Sequence, residues 1–229
     1  MRAYDWIFFD ADGTLLDFAT TERHALERTF RQFGYPFDEA IRKRYEDINH
    51  GLWKDFERGR ITKDDVLNNR FSRLFREIGV VRGENDRAFE KAYQDALAEG
   101  TDVTEGAEEV LSYLKGKYFL YVATNGVAST QYKRLRQSGL ARYFDGIFVS
   151  EEIGFQKPQK EYFSACFAKI PGIIPERTLI VGDSLTSDMA GGQAAGMATC
   201  WFHGEEEANT EDLPITMEIR RLTELKEIL

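Results

Sequence analysis

Short apolar runs rich in β-branched and aromatic residues, each too short to be a helix, recur along this chain and limit what it can fold into. The first, Trp6-Ile7-Phe8-Phe9, ends in Asp10-Ala11-Asp12-Gly13. It reads as a buried parallel strand entering a tight turn. Phe119 to Ala123, Gly146 to Val149, Thr178 to Val181 and Ala198 to Phe202 read the same way, with a weaker strand near Met217 to Ile219. Helical patterns lie between them. Val127 to Gln137 stops at Gly139, Glu161 to Lys169 follows Pro158, and Asp188 to Ala195 stops at Gly196. Strand alternating with helix from about residue 104 onward predicts an α/β fold with a doubly wound parallel sheet.

Residues 18–100 break the alternation. Leu26, Phe30 and Phe33 fall at helical spacing before Gly34 and Pro36. Leu67, Phe71, Leu74, Phe75 and Ile78 form a second stripe, and Phe89, Tyr93, Ala96 and Leu97 a third. Thr62-Lys63-Asp64-Asp65 resembles a capping box ahead of the second stripe. The expectation is an all-helical insertion over 17–100, between a core made of 1–16 and 101–229.

Composition excludes several classes. The 229 residues carry a formal net charge of −9, a poor match for a protein that grips a nucleic acid polymer. A small anionic substrate needs only a local positive site and stays open. The two cysteines, Cys166 and Cys200, have no Cys or His at metal spacing and suggest reduced core thiols. No signal-peptide pattern opens the chain and no apolar stretch suits a membrane span. The expectation is a cytoplasmic protein, monomer or homodimer, with no membrane partner.

In an open parallel sheet, ligands bind beyond the carboxyl ends of the strands. Asp10 and Asp12 follow the first strand; Thr124, Asn125 and Gly126 follow the second. Lys157-Pro158 comes some residues after the third, and Gly182-Asp183-Ser184 follows the fourth, with Asp188 five residues beyond Asp183. Carboxylates gathered so closely repel one another unless a cation or protons intervene, and hard oxygen ligands favour Mg²⁺. A helix starting after Thr124-Asn125-Gly126 offers free N–H groups to a phosphate. A carboxylate nucleophile, a metal and an anion cradle together describe phosphoryl transfer through an aspartyl phosphate. Other readings fit less well. A calcium loop would need Gly at the sixth position from Asp10 and Glu at the twelfth, which are Leu15 and Thr21. A serine nucleophile elbow is broken by Thr186.

Asp10-Ala11-Asp12-Gly13-Thr14, Thr124-Asn125, Lys157-Pro158 and Gly182-Asp183 with Asp188 resemble, in order, the four motifs of the haloacid dehalogenase superfamily. The resemblance implies a Rossmann-like core with a type 1 helical cap. It implies Asp10 as nucleophile and Mg²⁺ ligand. Asp12 would be general acid and base, its backbone carbonyl also on the metal. Thr124 and Asn125 would form the phosphate cradle, Lys157 would steady Asp10 and the phosphoryl group, Asp183 would bind the metal, and Asp188 would orient metal waters or Lys157. The dehalogenases of the superfamily lack an aspartate at the position of Asp12, so the expected substrates are small phosphomonoesters.

Asn49-His50-Gly51-Leu52-Trp53, Gly59-Arg60-Ile61-Thr62 and Gly191 to Trp201 are similar to the bacterial pyrimidine nucleotide 5′-phosphatases of this superfamily. That similarity implies pyrimidine nucleoside 5′-monophosphates as substrates, with Asn49, Trp53 and Arg60 as candidate substrate contacts. Trp53, Phe56 and Tyr45 read equally well as the packed interior of the insertion. The alternatives are a sugar phosphate or phosphoglycolate phosphatase, a phosphomutase, a haloacid dehalogenase, or a non-catalytic regulator on the same fold.

Overall fold

A computed structural model describes residues 3–80, 86–204 and 207–229. Six parallel strands form one sheet: β1 (Trp6–Phe9), β2 (Phe119–Thr124), β3 (Gly146–Val149), β4 (Thr178–Gly182), β5 (Ala198–Phe202) and β6 (Met217–Ile219). Their spatial order is β3-β2-β1-β4-β5-β6. The order reverses between β1 and β4, where the chain leaves β3 on one side of β1 and returns on the other. A crevice opens at such a point, beyond the carboxyl ends of the strands.

Every residue of β1 and β4 is buried. Side chains alternate between faces along a strand, so each buried run feeds two cores. Ile7, Phe9, Leu120, Val122, Leu179 and Val181 enter one cluster, with Val110, Leu111 and Leu135 from flanking helices. Trp6, Phe8, Tyr121, Ala123, Phe148 and Ile180 enter the other, with Phe163 and Cys166. Burial on both faces is why these strands read as continuous apolar runs rather than alternating ones.

The helices are α1 (Phe18–Phe33), α2 (Glu39–Glu57), α3 (Lys63–Glu77), α4 (Asp86–Ala98), α5 (Ala107–Leu114), α6 (Ala128–Gln137), α7 (Ser150–Ile153), α8 (Lys160–Phe167), α9 (Ala190–Ala194) and α10 (Leu225–Ile228). A single π turn, Leu185–Met189, precedes α9. Two compact units result: Met1–Phe18 with Thr101–Leu229, and Ala19–Gly100. All the regular elements of the second, among the described residues, are helices. Three apolar stripes were legible there in the sequence, whereas the structure also has α2. Its buried positions are Tyr45, Asn49, Leu52 and Phe56, a helical stripe interrupted by a polar residue, so apolar spacing alone misses it. The capping box before α3 is present, with Thr62 and Asp65 each accepting from the other's backbone N–H. Among the described residues no helix is long and apolar enough to cross a membrane.

Phe8 sits one residue from the strand end that carries Asp10. Its ring lies 5.2 Å from that of Tyr121, 6.0 Å from Phe148 and 6.3 Å from Phe163. Phe8→Ala is expected to lower the unfolding free energy by about 3–5 kcal/mol, measured by urea denaturation followed by circular dichroism. A loss below about 1 kcal/mol would show that this ring cluster does not hold the sheet.

Candidate functional site

The reversal between β1 and β4 sets where the carboxylates fall. Phe9 pairs in register with Val122 and Val181, so Asp10, Thr124 and Asp183 lie one or two residues past this row, at the carboxyl ends of three adjacent strands. The Asp10 N–H donates to the Val181 carbonyl at 2.9 Å, which holds the turn against β4. Gly13 takes φ +83°, and a side chain there would meet Asp183 Oδ2 at 2.7 Å. The glycine therefore answers both a left-handed backbone and the close approach of a carboxylate.

Lys157 is the hub of this cluster. Its Nζ donates to Asp10 Oδ1 at 2.6 Å, Asp188 Oδ1 at 2.6 Å and the Ala123 carbonyl at 2.7 Å. Those three bonds use every donor of an ammonium group, and the residue is only 1% exposed. Its backbone is fixed as well. Asn125 Oδ1 accepts from the Lys157 N–H at 2.9 Å, and Asn125 Nδ2 donates to the Lys157 carbonyl at 3.0 Å. The Asn125 amide thus holds the lysine segment. Thr124, also buried, accepts the Gly126 N–H at 3.0 Å and shapes the turn into α6.

Asp183 Oδ1 accepts from Thr14 Oγ1 at 2.9 Å, and its backbone carbonyl accepts the Trp201 indole N–H at 2.8 Å. Asp188 Oδ2 accepts the Ser184 N–H at 3.1 Å. Carboxylate oxygens of Asp10, Asp183 and Asp188 all lie within 4.8 Å of one another. Burial, followed by the neighbouring Asp188 and Asp12 and opposed by Lys157, pushes the Asp10 carboxyl up to about 7. Asp183 is pushed well above the usual carboxylate range by burial and then by Asp10 and Asp188. Lys157 moves upward despite its burial, because Asp10 and Asp188 hold its charge.

With all three ionised, one ammonium against buried Asp10 and Asp188 and half-buried Asp183 leaves two negative charges uncompensated, which, second to burial, is what pushes the Asp10 and Asp183 carboxyls upward without a metal. A divalent cation cancels those charges, and an all-oxygen donor set suits Mg²⁺. The residues present therefore fit the ion that the sequence motifs imply.

The Asp12 carboxylate is not part of this group. Oδ1 accepts from Arg134 Nη1 and Oδ2 from Gln131 Nε2. Neither partner stands out in the sequence. In α6 they sit among Ala-Ser-Thr-Gln-Tyr-Lys-Arg-Leu-Arg-Gln, which reads as a largely solvated helix, yet Gln131 and Arg134 are buried. The available signal was that a helix between two buried strands must cover the sheet, and this one has little apolar surface to do it with.

Of the candidate substrate contacts, Asn49 is buried in the helical unit. Its Nδ2 donates to Glu22 Oε1 at 3.0 Å, and Tyr93 donates to the same oxygen at 3.1 Å. Arg70, paired with Glu90, lies beside it. Trp53 packs on Phe56, ring centroids 5.6 Å apart, next to Leu52 and Val66. Arg60 is exposed and pairs with Asp55 at 3.0 Å.

Similarity to known proteins places the chain in a family. Residues 4–196 match the family model of the haloacid dehalogenase-like hydrolases. The chain is 46% identical over 230 residues to the HAD-hydrolase YfnB of Bacillus subtilis, covering 100% of this chain and 97% of that one. A crystal structure of YfnB bound to magnesium superposes with a TM-score of 0.94 at 45% identity, covering 100% of this chain and 99% of that one. The pyrimidine 5′-nucleotidase PynA of Streptococcus pneumoniae is 38% identical, over 99% of this chain and 95% of its own. The pyrimidine 5′-nucleotidase YjjG of Escherichia coli is 34% identical, over 99% and 98%. With the family model matching residues 4–196 and relatives 34–46% identical over nearly the whole chain, the chain belongs to the haloacid dehalogenase-like hydrolases and is an enzyme of that superfamily.

Proposed function

We propose that this phosphatase hydrolyses small phosphomonoesters, pyrimidine nucleoside 5′-monophosphates among them, through a phospho-aspartate on Asp10. The observation that carries the reading is the Lys157 ammonium, held between Asp10 and Asp188 at the ends of adjacent strands, with Asp183 alongside. The pyrimidine preference rests on the two nucleotidases that resemble this chain over nearly its full length.

In the first half-reaction an Asp10 carboxylate oxygen attacks phosphorus and the bond from phosphorus to the ester oxygen breaks. Asp12 gives its proton to the departing oxygen, releasing the nucleoside. In the second half a water oxygen attacks the phosphorus of phospho-Asp10 while Asp12 takes a proton from that water. The bond from phosphorus to Asp10 breaks, freeing inorganic phosphate and restoring both carboxyl groups. Lys157 offsets the charge that spreads over the transferring phosphoryl oxygens. Thr124 and the start of α6 would face the phosphate. Asp10, Asp183 and the Asp12 backbone carbonyl would hold Mg²⁺, with Asp188 behind them orienting Lys157; when bound, the cation supplies Lewis-acid stabilisation of phosphoryl oxygen charge. Residues 17–100 serve as the cap that selects the leaving group. There Asn49, Trp53 and Arg60 would meet the nucleoside, with Asn49 held by Glu22 and Arg70. The partner is a small phosphorylated metabolite, met in the cytoplasm, by a monomer or homodimer.

Asp10→Asn keeps the size of the side chain and is expected to abolish turnover with an unchanged circular dichroism spectrum. Near-normal phosphate release from that variant would overturn the phospho-aspartate. Exhaustive chelation is expected to stop phosphate release and added Mg²⁺ to restore it; full activity after chelation would remove the metal from the reading. Across dUMP, dTMP, UMP, AMP, phosphoglycolate and hexose phosphates, the pyrimidine monophosphates are expected to show the highest kcat/KM. A higher value for a sugar or small-acid phosphate would keep the Asp10 chemistry and replace the substrate.

A further inference from the structure

Gln131 and Arg134 stand three residues apart on α6 and therefore on one helix face. From that face each takes a different oxygen of the Asp12 carboxylate. Arg134 is fully buried, a costly position for a guanidinium unless a carboxylate meets it. Its guanidinium carbon also lies 5.7 Å from the centroid of the Phe18 ring. Gln131 is equally enclosed, and its Oε1 has no hydrogen-bond partner among the described residues. Gly126 makes the approach possible. A side chain there would lie 2.0 Å from Gln131 Nε2, so the glycine of the Thr124-Asn125-Gly126 turn clears the path along which Gln131 reaches Asp12.

We infer that Gln131 and Arg134 are positioning residues for Asp12: they fix the orientation in which its carboxyl group meets the ester oxygen and the attacking water. The inference rests on the phospho-aspartate reading above. A carboxylate on a short side chain after a turn has free rotation about two bonds, and proton transfer requires it within hydrogen-bond reach of the reacting oxygen. A guanidinium and an amide fixed to one helix remove that freedom with donors that are themselves immobile. A carboxylate oxygen has a second lone pair, so both bonds can persist while Asp12 exchanges its proton.

The test uses the Mg²⁺-loaded full chain with Arg134→Met, Gln131→Met and Arg134→Lys, read on two substrates. Nitrophenyl phosphate releases a leaving group that needs no proton, whereas a pyrimidine monophosphate needs one from Asp12. Arg134→Met is expected to slow the nucleotide about 10–100-fold, part of the roughly 10²–10⁴-fold that general acid–base catalysis supplies. It should leave the pre-steady-state burst of nitrophenolate within about 3-fold of the parent, because forming phospho-Asp10 from that ester bypasses Asp12. Arg134→Lys should recover part of the loss. In an Asp12→Asn background the same substitution should cost less than about 2-fold, since a residue acting only through Asp12 has nothing left to position. Should Arg134→Met lose its fold by circular dichroism, Gln131→Met carries the same comparison without removing a buried charge. Equal losses on both substrates, or full losses in the Asp12→Asn background, overturn the positioning role while Asp10→Asn remains inactive. An active Asp10→Asn would instead point to failure of the phospho-aspartate reading itself.

Discussion

The ammonium group of Lys157 is the interaction on which this site depends. An unpaired cation at that depth would be untenable, and the cluster of Asp10, Asp183 and Asp188 would be equally so without a counter-charge. Each makes the other tolerable. Because Nζ has three donors and meets three acceptors, the lysine has one geometry available to it. The bidentate grip of Asn125 on its backbone removes the remaining slack. Positive charge is thereby fixed beside the nucleophile before a substrate arrives, which is what electrostatic catalysis requires.

That arrangement is possible because the sheet beneath it is buried on both faces. Adjacent strands β2, β1 and β4 end within two residues of one another in register, and the order reverses between β1 and β4. Side chains with no sequence proximity, Asp10 and Asp183 among them, meet there. The aromatic packing of Phe8, Tyr121, Phe148 and Phe163 below sets the height of those ends. Stability and chemistry share this framework, one from the inward side chains and the other from the residues just past the strands.

Two polar networks stand apart from the carboxylate cluster. Gln131 and Arg134 hold Asp12 within the sheet unit. Within the helical unit, Glu22, Asn49, Arg70, Glu90 and Tyr93 form a buried hydrogen-bonded set, with the Arg70 guanidinium 4.7 Å from the Tyr93 ring. Buried polar groups linked in this way tolerate few alternative arrangements, since each unpaired member would be costly. Asn49 is thus as much an interior residue of its own unit as a candidate contact for substrate.

The strands, their parallel arrangement and the helical character of the insertion were legible in the sequence, because burial on two faces writes a continuous apolar run and a helix writes a 3.6-residue stripe. The residues after each strand were legible for the same reason: topology obliges them to gather at one edge. Helix α2 was not, because Asn49 interrupts its stripe. Nor were Gln131 and Arg134, since a polar residue on a helix reads as solvated until the fold supplies a buried partner. The sequence by itself pointed to Asp10, Asp12, Asp183, Asp188 and Lys157 as residues gathered at one edge of the sheet, without separating the Asp12 carboxylate from the others. Only the tertiary structure decided that Asp12 is held by α6, that Asn125 grips the Lys157 backbone and that Trp201 holds the Asp183 carbonyl. Periodicity records which way a residue faces, whereas a hydrogen bond between residues distant in sequence depends on where two elements come to rest against each other.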